Sequence, residues 1–354
     1  MTNAQSAATS KPATMRDVAE AAGAPLSAVS LVLNGKSGVS HSRRQKILEA
    51  AEQLGYAPPA RSTERTRTPV IGLVMEALSP KAAEDGFMAS VVSGVEAGLR
   101  HFGIQMLLHL YRPDGDPLAT FRSMVGRDVD GVIAANGGDI DADAIERIAA
   151  AGTPLVLVEN YLETDPRIPA VVADNFTAGH QCTQHLIELG HERIGMLLGS
   201  TRYVSLTDRR RGYEIALLEH GLVPSAELMP PQTSGELVKG YAQMKQLLGL
   251  RKPPTAVYAV SDKSAFGAYQ AITEAGLRVP DDISVVGTDD VQQSAATSPA
   301  LTTFGVPTFE LGRTAAQAMQ ALLTNPGSAP TRTVLLGQLA VRQSTAPPRR
   351  RSRR

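Results

Sequence analysis

Lysine and arginine carry the most telling chemistry in this 354-residue chain, because their placement is uneven although 35 basic residues balance 35 acidic ones. Residues 1–69 hold nine Lys/Arg against five Asp/Glu, a net +4, and residues 349–354 hold five Arg and no acid. The stretch between them, 70–348, holds 21 basic and 30 acidic residues, a net −9. A basic head on an acidic body points the head, and not the body, toward a polyanion. Other reactive types are sparse. Cys182 is the only cysteine, so the chain can make neither an internal disulfide nor a multi-cysteine zinc site, which fits a reducing cytoplasm. His185 and His191 flank a helix end with Gly190 as its cap, and read as core or surface histidines instead of metal ligands. No H-E-x-x-H, phosphate-binding glycine loop or G-x-S-x-G occurs. No catalytic residue, metal or cofactor is therefore assigned. Met1 to Thr14 lacks the apolar region of a signal peptide, and no run of about 18 apolar residues exists, so neither export nor a membrane span is expected.

The elements that position the basic head can be read from periodicity. Thr14-x-x-Asp17 is a capping-box-like helix start in which Asp stands for the usual Glu or Gln. Met15, Val18, Ala19 and Ala22 share the apolar face of a short helix that Gly23 ends. Pro25 suits the first turn of a second helix, which runs to about Leu33, buries Ala28, Val29, Val32 and Leu33, and breaks at Asn34-Gly35. A third helix from near Ser40 carries Ile47, Leu48, Ala51 and Leu54 at helical spacing. Two short helices across a tight turn with a third closing the core form a helix-turn-helix, whose second helix fits the major groove.

Behind the head, Ala57 to Pro69 contains three prolines in its first half and last position and no apolar periodicity, which marks a linker. Short apolar runs then alternate with amphipathic ones. Strands are expected at Val70–Val74, Gln105–Leu110, Gly131–Ala134, Leu155–Val158 and Val171–Ala173, and again at Ile194–Leu198, Ala256–Val260 and Ile283–Val286. Strand–helix alternation in two series means two α/β lobes with parallel sheets, and their ligands bind beyond the carboxyl ends of the strands.

The head reads Asp17-Val18-Ala19-Glu20-Ala21-Ala22-Gly23, then Val29-Ser30-Leu31-Val32-Leu33-Asn34, Val39-Ser40 and Gly55-Tyr56-Ala57-Pro58. That order resembles the LacI/GalR (lactose-repressor) family of bacterial regulators. The resemblance implies that Leu26, Ser27 and Leu31 face base edges, while Thr14, Ser30, Asn34, Ser40 and Arg44 hold phosphates. Phosphate contacts set register and base contacts set sequence. Ala24-Pro25 replaces the family's Val-Ser, and Leu31 stands where Arg is frequent, removing a bidentate guanine contact worth ~1–3 kcal/mol. In the family the linker is a hinge helix that wedges a leucine into the minor groove. Ala60-Arg61 matches part of it, with Arg61 a phosphate contact or a solvated linker residue. No leucine follows, so weaker operator kinking is expected.

The resemblance continues through Val171-Val172-Ala173-Asp174-Asn175, His185 to His191, Arg209-Arg210-Arg211-Gly212-Tyr213, Ser261-Asp262, Val279 to Asp290 and Pro299 to Thr303. It implies a periplasmic-binding-protein-like body, two lobes clamping a ligand with three chain crossings. Asn136, Glu159, Arg209, Ser261, Asp262 and Asp289 then become effector contacts. Carboxylates accept hydroxyl protons and Arg donates a planar fork, which suits a sugar or related metabolite. Each has a plainer reading. Asp262 may equally cap a helix starting near Lys263; of Asp289 and Asp290, one satisfies its loop; Glu159 is a loop acid; and Arg209 sits in a run that is ordinarily surface. Thr288 stands where the family often has an aromatic, and there is no Trp, which argues against ring stacking on a sugar.

The expected architecture is an α-helical helix-turn-helix head on an α/β two-lobed periplasmic-binding-protein-like body. Its divisions are a disordered start (1–12), the DNA-binding domain (13–58), the linker (59–69), a first lobe (70–172 and about 305–331), a second lobe (173–304 and about 332–343) and a disordered basic tail (344–354). The function expected is a cytoplasmic homodimeric regulator, leaning to repression, that binds double-stranded operator DNA under control of a small polar effector. The alternative is a solute-binding protein or sugar-processing enzyme on the same body.

Overall fold

The computed structural model describes residues 14–33, 39–54, 56, 68–76, 86–111, 129–135, 145, 149–150, 152–161, 167–201, 203–231 and 240–349. The chain separates into two compact units, 1–67 and 68–354. Asn34, Asn136, Arg61, the linker 57–67 and the tail 350–354 lie outside the described residues.

The first unit holds helices α1 (Met15–Ala21), α2 (Leu26–Leu33) and α3 (His41–Gln53). The capping box forms as the spacing predicts: Asp17 N donates to Thr14 Oγ1, and Thr14 N donates to the Asp17 carboxylate at 2.6 Å. Pro25 stands just ahead of α2, and its carbonyl takes the N–H of Ala28 and Val29. Val18, Val29, Val32, Ile47, Ala50 and Ala51 form the small core. Leu48 and Leu54, expected in it, are 49% and 41% exposed. Ile47, Ala50 and Ala51 supply the core face of α3; Leu48 lies off that face and Leu54 is the cap that follows the helix.

The second unit has two sheets. In the first, strands β1 (Val70–Glu76), β2 (Gln105–Tyr111), β3 (Gly131–Ala135), β4 (Leu155–Val158) and β5 (Ala170–Ala173) join β10 (Arg332–Leu335) in the order β10-β5-β4-β3-β1-β2, and all are parallel. The second runs β11 (Gln338–Ala340), β9 (Thr302–Gly305), β8 (Ser284–Asp289), β7 (Ala256–Ala259), β6 (Ile194–Leu197), parallel except for β11. β3, β4 and β5 are buried throughout, as parallel strands covered on both faces must be. The chain leaves the first sheet after β5, returns after β9, and leaves again between β10 and β11. Because β10 pairs with β5, residues 332–335 belong to the first lobe, and the last crossing falls at 336–337 instead of near 332. β9, β10 and β11 carry too little apolar periodicity to be recognised without their partners; β10 alternates between exposed and half-buried positions.

Helices α4 (Phe87–His101) and α10 (Thr308–Thr324) pack together in the first lobe, α5 (Asn175–Glu188) and α6 (Val204–Glu219) in the second. Both crossings depend on glycine. A Cβ on Gly312 would stand 2.1 Å from the carbonyl oxygen of Val91, and one on Gly212 would stand 2.1 Å from that of Phe176. α7 (Tyr241–Leu248), α8 (Asp262–Glu274) and α9 (Gln292–Ala296) complete the second lobe.

The end of the chain corrects another expectation. Residues 344–349 are not a loose tail but a strap on the second sheet. Ser344 is fully buried, its hydroxyl donates to Val285 O and accepts from Thr302 N, and its carbonyl takes Val285 N–H. The buried His191 ring bridges Thr255 and the carbonyl of Ala346, and Arg349 reaches Asp282 at 2.8 Å. His185 meets Thr345 at 2.9 Å. Both histidines are thus structural, as their setting beside a capped helix end implies.

Candidate functional site

Two surfaces gather the residues singled out above, one on each unit. On the first, α2 turns Val29 and Val32 inward and leaves Leu26 (44% exposed) and Ser27 outward, with Ser30 and Leu31 half-buried. Leu26 and Ser27 thus lie on the outer face of α2, away from the small core. Ser40 is exposed at the start of α3 and makes no capping bond with its side chain, and Arg44 lies half-buried one turn later. Thr14 is exposed, but its hydroxyl also donates to Asp17.

In the second unit, the ends of β4, β5 and β8 bring Glu159, Asn175, Arg209 and Asp289 into one buried chain of bonds. Glu159 adopts a left-handed backbone (φ 55°) directly after β4. This aims one carboxylate oxygen at Ala173 N, 2.6 Å away, and the other at the amide of Asn175, 3.2 Å away. Asn175 returns its own oxygen to Arg209 Nε at 2.8 Å, and Arg209 Nη1 binds Asp289 at 3.0 Å. The guanidinium is only 3% exposed. Burial, the largest single influence, lowers its pKa, but Asp289, Tyr258 and Glu159 together outweigh it and the net shift is upward. Arg209 is therefore a fixed cation in a satisfied network, and Gly212 one turn on lets α6 sit close enough to α5 for it to reach Asn175. Tyr213 anchors the same turn through a bond to Ile194 O. The arginine run that looks like surface in sequence thus splits: Arg209 faces in, while Arg210 and Arg211 pair with Glu214 and Asp208.

A cleft of about 570 Å³ lies between the lobes, walled by Phe87 and Ser90 of α4, Val306 and Thr308 on the return crossing, and Asp289 to Gln293 of the second lobe. Asp289 (φ 124°) and Asp290 (φ 54°) both take the left-handed region. The strain turns the two carboxylates to different neighbours, Arg209 and Arg342. Asp289 belongs to both the cleft wall and the buried network, so it can pass a ligand's contact to Arg209.

Ser261 and Asp262 depart from the sequence reading. Ser261 is the cap of α8, its hydroxyl accepting from Ser264 N. Asp262 is neither cap nor cleft lining. It is completely enclosed, with one oxygen held by Val291 N and Ser294 Oγ and the other by Thr303 Oγ1. Burial pushes its carboxyl up to about 6 against these bonds. A Cβ on Gly287 would stand 2.3 Å from its Oδ1, so that glycine makes room for the acid. Asp262 braces Val291 and Ser294, and through them the cleft wall. Asn175, which joins Glu159 to Arg209, was passed over by sequence reasoning, although it ends the Val-Val-Ala-Asp-Asn run. Among the described residues, no group of acids, histidines or cysteine has metal-binding geometry, and burial raises the Cys182 thiol pKa far from nucleophilic use. Among the described residues, no helix is long and apolar enough to cross a membrane.

Residues 14–59 match the family of bacterial regulatory proteins of lacI type, and residues 183–345 match the periplasmic binding protein-like domain. The probable HTH-type transcriptional repressor ExuR of Bacillus subtilis (strain 168) is 30% identical over 315 residues, 88% of this chain and 92% of its own length. The chain belongs to the lacI family. This regulator is also similar to a solved complex of the transcriptional regulator CelR with cellobiose, at 30% identity and TM-score 0.71, covering 94% of this chain and 99% of that one. A lac repressor dimer bound to operator and an anti-inducer aligns at 26% identity and TM-score 0.69, over 95% of this chain and 100% of the other. The lacI-family regulator thus has the helix-turn-helix head and two-lobed body that its sequence implies.

Proposed function

We propose that this lacI-family regulator is a cytoplasmic repressor that binds operator DNA as a homodimer, with an affinity set by a small polyhydroxyl effector in the interlobe cleft. The observation that carries the reading is the joining, on one chain, of an outward-facing α2 and a cleft whose wall residue Asp289 is tied to a buried arginine. Leu26, Ser27 and Leu31 would face base edges; Ser40, Arg44 and, by sequence, Asn34 and Arg61 would hold phosphates, with Ser30 and Thr14 beside them. In the cleft, Asp289 accepts hydroxyl protons, with Asn136 added on sequence grounds. Arg209 and Glu159 act behind it, and Ser261 and Asp262 shape the wall without touching the ligand. The relatives support this reading: ExuR is named a repressor, CelR is solved with cellobiose, and the lac repressor is solved as a dimer on operator. A two-fold protein reads a near-palindromic site.

The test is fluorescence anisotropy on the full chain with genomic fragments flanking its own gene. Specific binding should weaken by ~10³ or more between about 50 and 200 mM salt, and cellobiose, then a panel of sugars, uronates and nucleosides, should shift the midpoint. Insensitivity to salt and to every compound would reject the proposal. Chemical conversion of a sugar by the pure protein would instead return the enzyme alternative.

A further inference from the structure

Among the described residues, two sets of bonds join the loop after β4 to the helix α6. The inner join is the buried chain Glu159–Asn175–Arg209. The outer one lies two residues along the loop and one residue back on the helix. Tyr161 of the first lobe donates its hydroxyl to Asp208 Oδ2 of the second at 2.8 Å. Asp208 also receives Arg211 Nη1 at 3.1 Å. On the ring of Tyr161, the guanidinium of Arg332 sits 3.8 Å from the centroid. Arg332 opens β10, the last strand laid down before the final crossing. One phenol of the first lobe therefore reaches the second through Asp208, while Arg332 of its own lobe covers its ring.

We infer that Tyr161 is an interlobe latch, a positioning residue that holds the two lobes at the separation seen here and so sets how much of the population can accept an effector. The physical reasons are local. Tyr161 has a stiff ring with its single polar atom at the tip, so its bond to Asp208 has a narrow range of lobe separations. A charged acceptor strengthens the bond over a neutral pair. The cation over the ring draws electron density from the phenol, which makes the hydroxyl a better donor, and it fixes the ring plane from the first-lobe side. Asp208 directly precedes Arg209, so the helix turn that the latch holds is the one that presents Arg209 to Asp289. If the lobes part, the outer bond is lost first, because it bridges them with no intermediate residue; the inner chain runs through Asn175 on the first crossing and can flex with it. A ligand that needs the closed form binds in proportion to the closed fraction. The consequence for affinity rests on the cleft being the effector site, but the latch itself does not.

The experiment measures lobe separation without any ligand. Spin labels at Arg100→Cys on the first lobe and Gln181→Cys on the second, both exposed positions, report the distance by double electron–electron resonance. Labelled chains are diluted into unlabelled ones so that only pairs within a chain count. Cys182 is fully buried and stays unlabelled. In Tyr161→Phe, which keeps the ring on Arg332, and in Asp208→Ala, the distance distribution should widen and shift outward, and the two changes combined should add almost nothing to either alone. Asp208→Asn retains an acceptor and should restore most of the narrow distribution. Parent-like distributions in both Tyr161→Phe and Asp208→Ala, with thermal melts showing both folded, would overturn the latch; so would full additivity in the double variant. A separate titration with cellobiose or whichever sugar binds the parent should show affinity falling ~2- to 10-fold in Tyr161→Phe, as loss of one hydrogen bond predicts. If distances change and no sugar binds the parent, the latch stands and the effector reading fails.

Discussion

The two lobes are built alike and filled differently. Each lays strands in parallel and clasps a pair of helices through glycines, α4 on α10 by Gly94, Gly98 and Gly312, and α5 on α6 by Gly179 and Gly212. Among the described residues, however, the buried polar side chains are concentrated in the second lobe and its crossings: Asn175, His191, Arg209, Asp262, Thr303 and Ser344 are there, while the first lobe contributes Glu159. Among the described residues, Glu159 is the first lobe's buried charge, while the second lobe holds Arg209 and Asp262. The second lobe also carries the C-terminal strap, which binds Val285, Thr302 and His191. On the proposed function, the mainly apolar first lobe serves as a platform and the second as the lobe that recognises.

The sharpest way to break this contrast is Arg209→Met. It should destabilise the body by ~3–5 kcal/mol, since Asp289 and Asn175 lose a buried partner, and should abolish the response to effector. A urea melt of parent and variant gives the number; a loss below ~1 kcal/mol would mean that the network is far more hydrated than its burial implies. Next is the pH dependence of Asp262. Its folded pKa of about 6 lies above the ordinary value of 3.8, so the folded state holds the proton more tightly. Stability is then greatest below about pH 4 from this group and declines as pH rises through about 6, by ~2–3 kcal/mol in all. His185 and His191, whose pKa values burial lowers, act in the opposite sense, so melts across that window should show the parent losing stability relative to Asp262→Asn, which has no proton to lose.

The packing half of the comparison predicts equality where the polar half predicts difference. Gly212→Ala and Gly312→Ala place a methyl against backbone in homologous helix crossings, and each should cost ~1–3 kcal/mol. Only Gly212→Ala should also weaken effector binding, because α6 carries Arg209; equal loss of effector affinity in both would erase the distinction between platform and recognition lobe. The smallest effect on stability belongs to the head. Leu26→Ala, at an exposed position, should move the melting free energy by no more than ~0.5 kcal/mol while lowering operator affinity measured by anisotropy, and unchanged affinity would remove Leu26 from the DNA-facing set.

The head was almost wholly legible before any coordinates, because its signals are local: a cap three residues from its acid, a helix period, a turn glycine. Only Leu48 and Leu54 were misplaced, and a helix period of 3.6 residues cannot show where a three-helix core ends. The body was legible as a fold from its strand–helix alternation. Its site was legible only in part. Glu159 and Asp289 are recognisable as acids at the ends of strands and Arg209 by its run of arginines, yet nothing along the chain tells that Arg209 turns in while Arg210 and Arg211 turn out.

Residue order alone determined which stretches coil, which extend, which helix presents Leu26 and Ser27, and that two similar α/β halves follow, since each of these depends on neighbours within a few positions. The tertiary structure decided what distance along the chain conceals. Asp262 is a wall brace because Thr303, 41 residues away, and Ser294 close over it. Residues 344–349 are a strap because Val285, Thr302 and His191 accept them. Asp208 meets Tyr161 across 47 residues. A buried polar atom's role is set by which partners desolvate it, and those partners are chosen by the packing of remote segments, which no local pattern encodes.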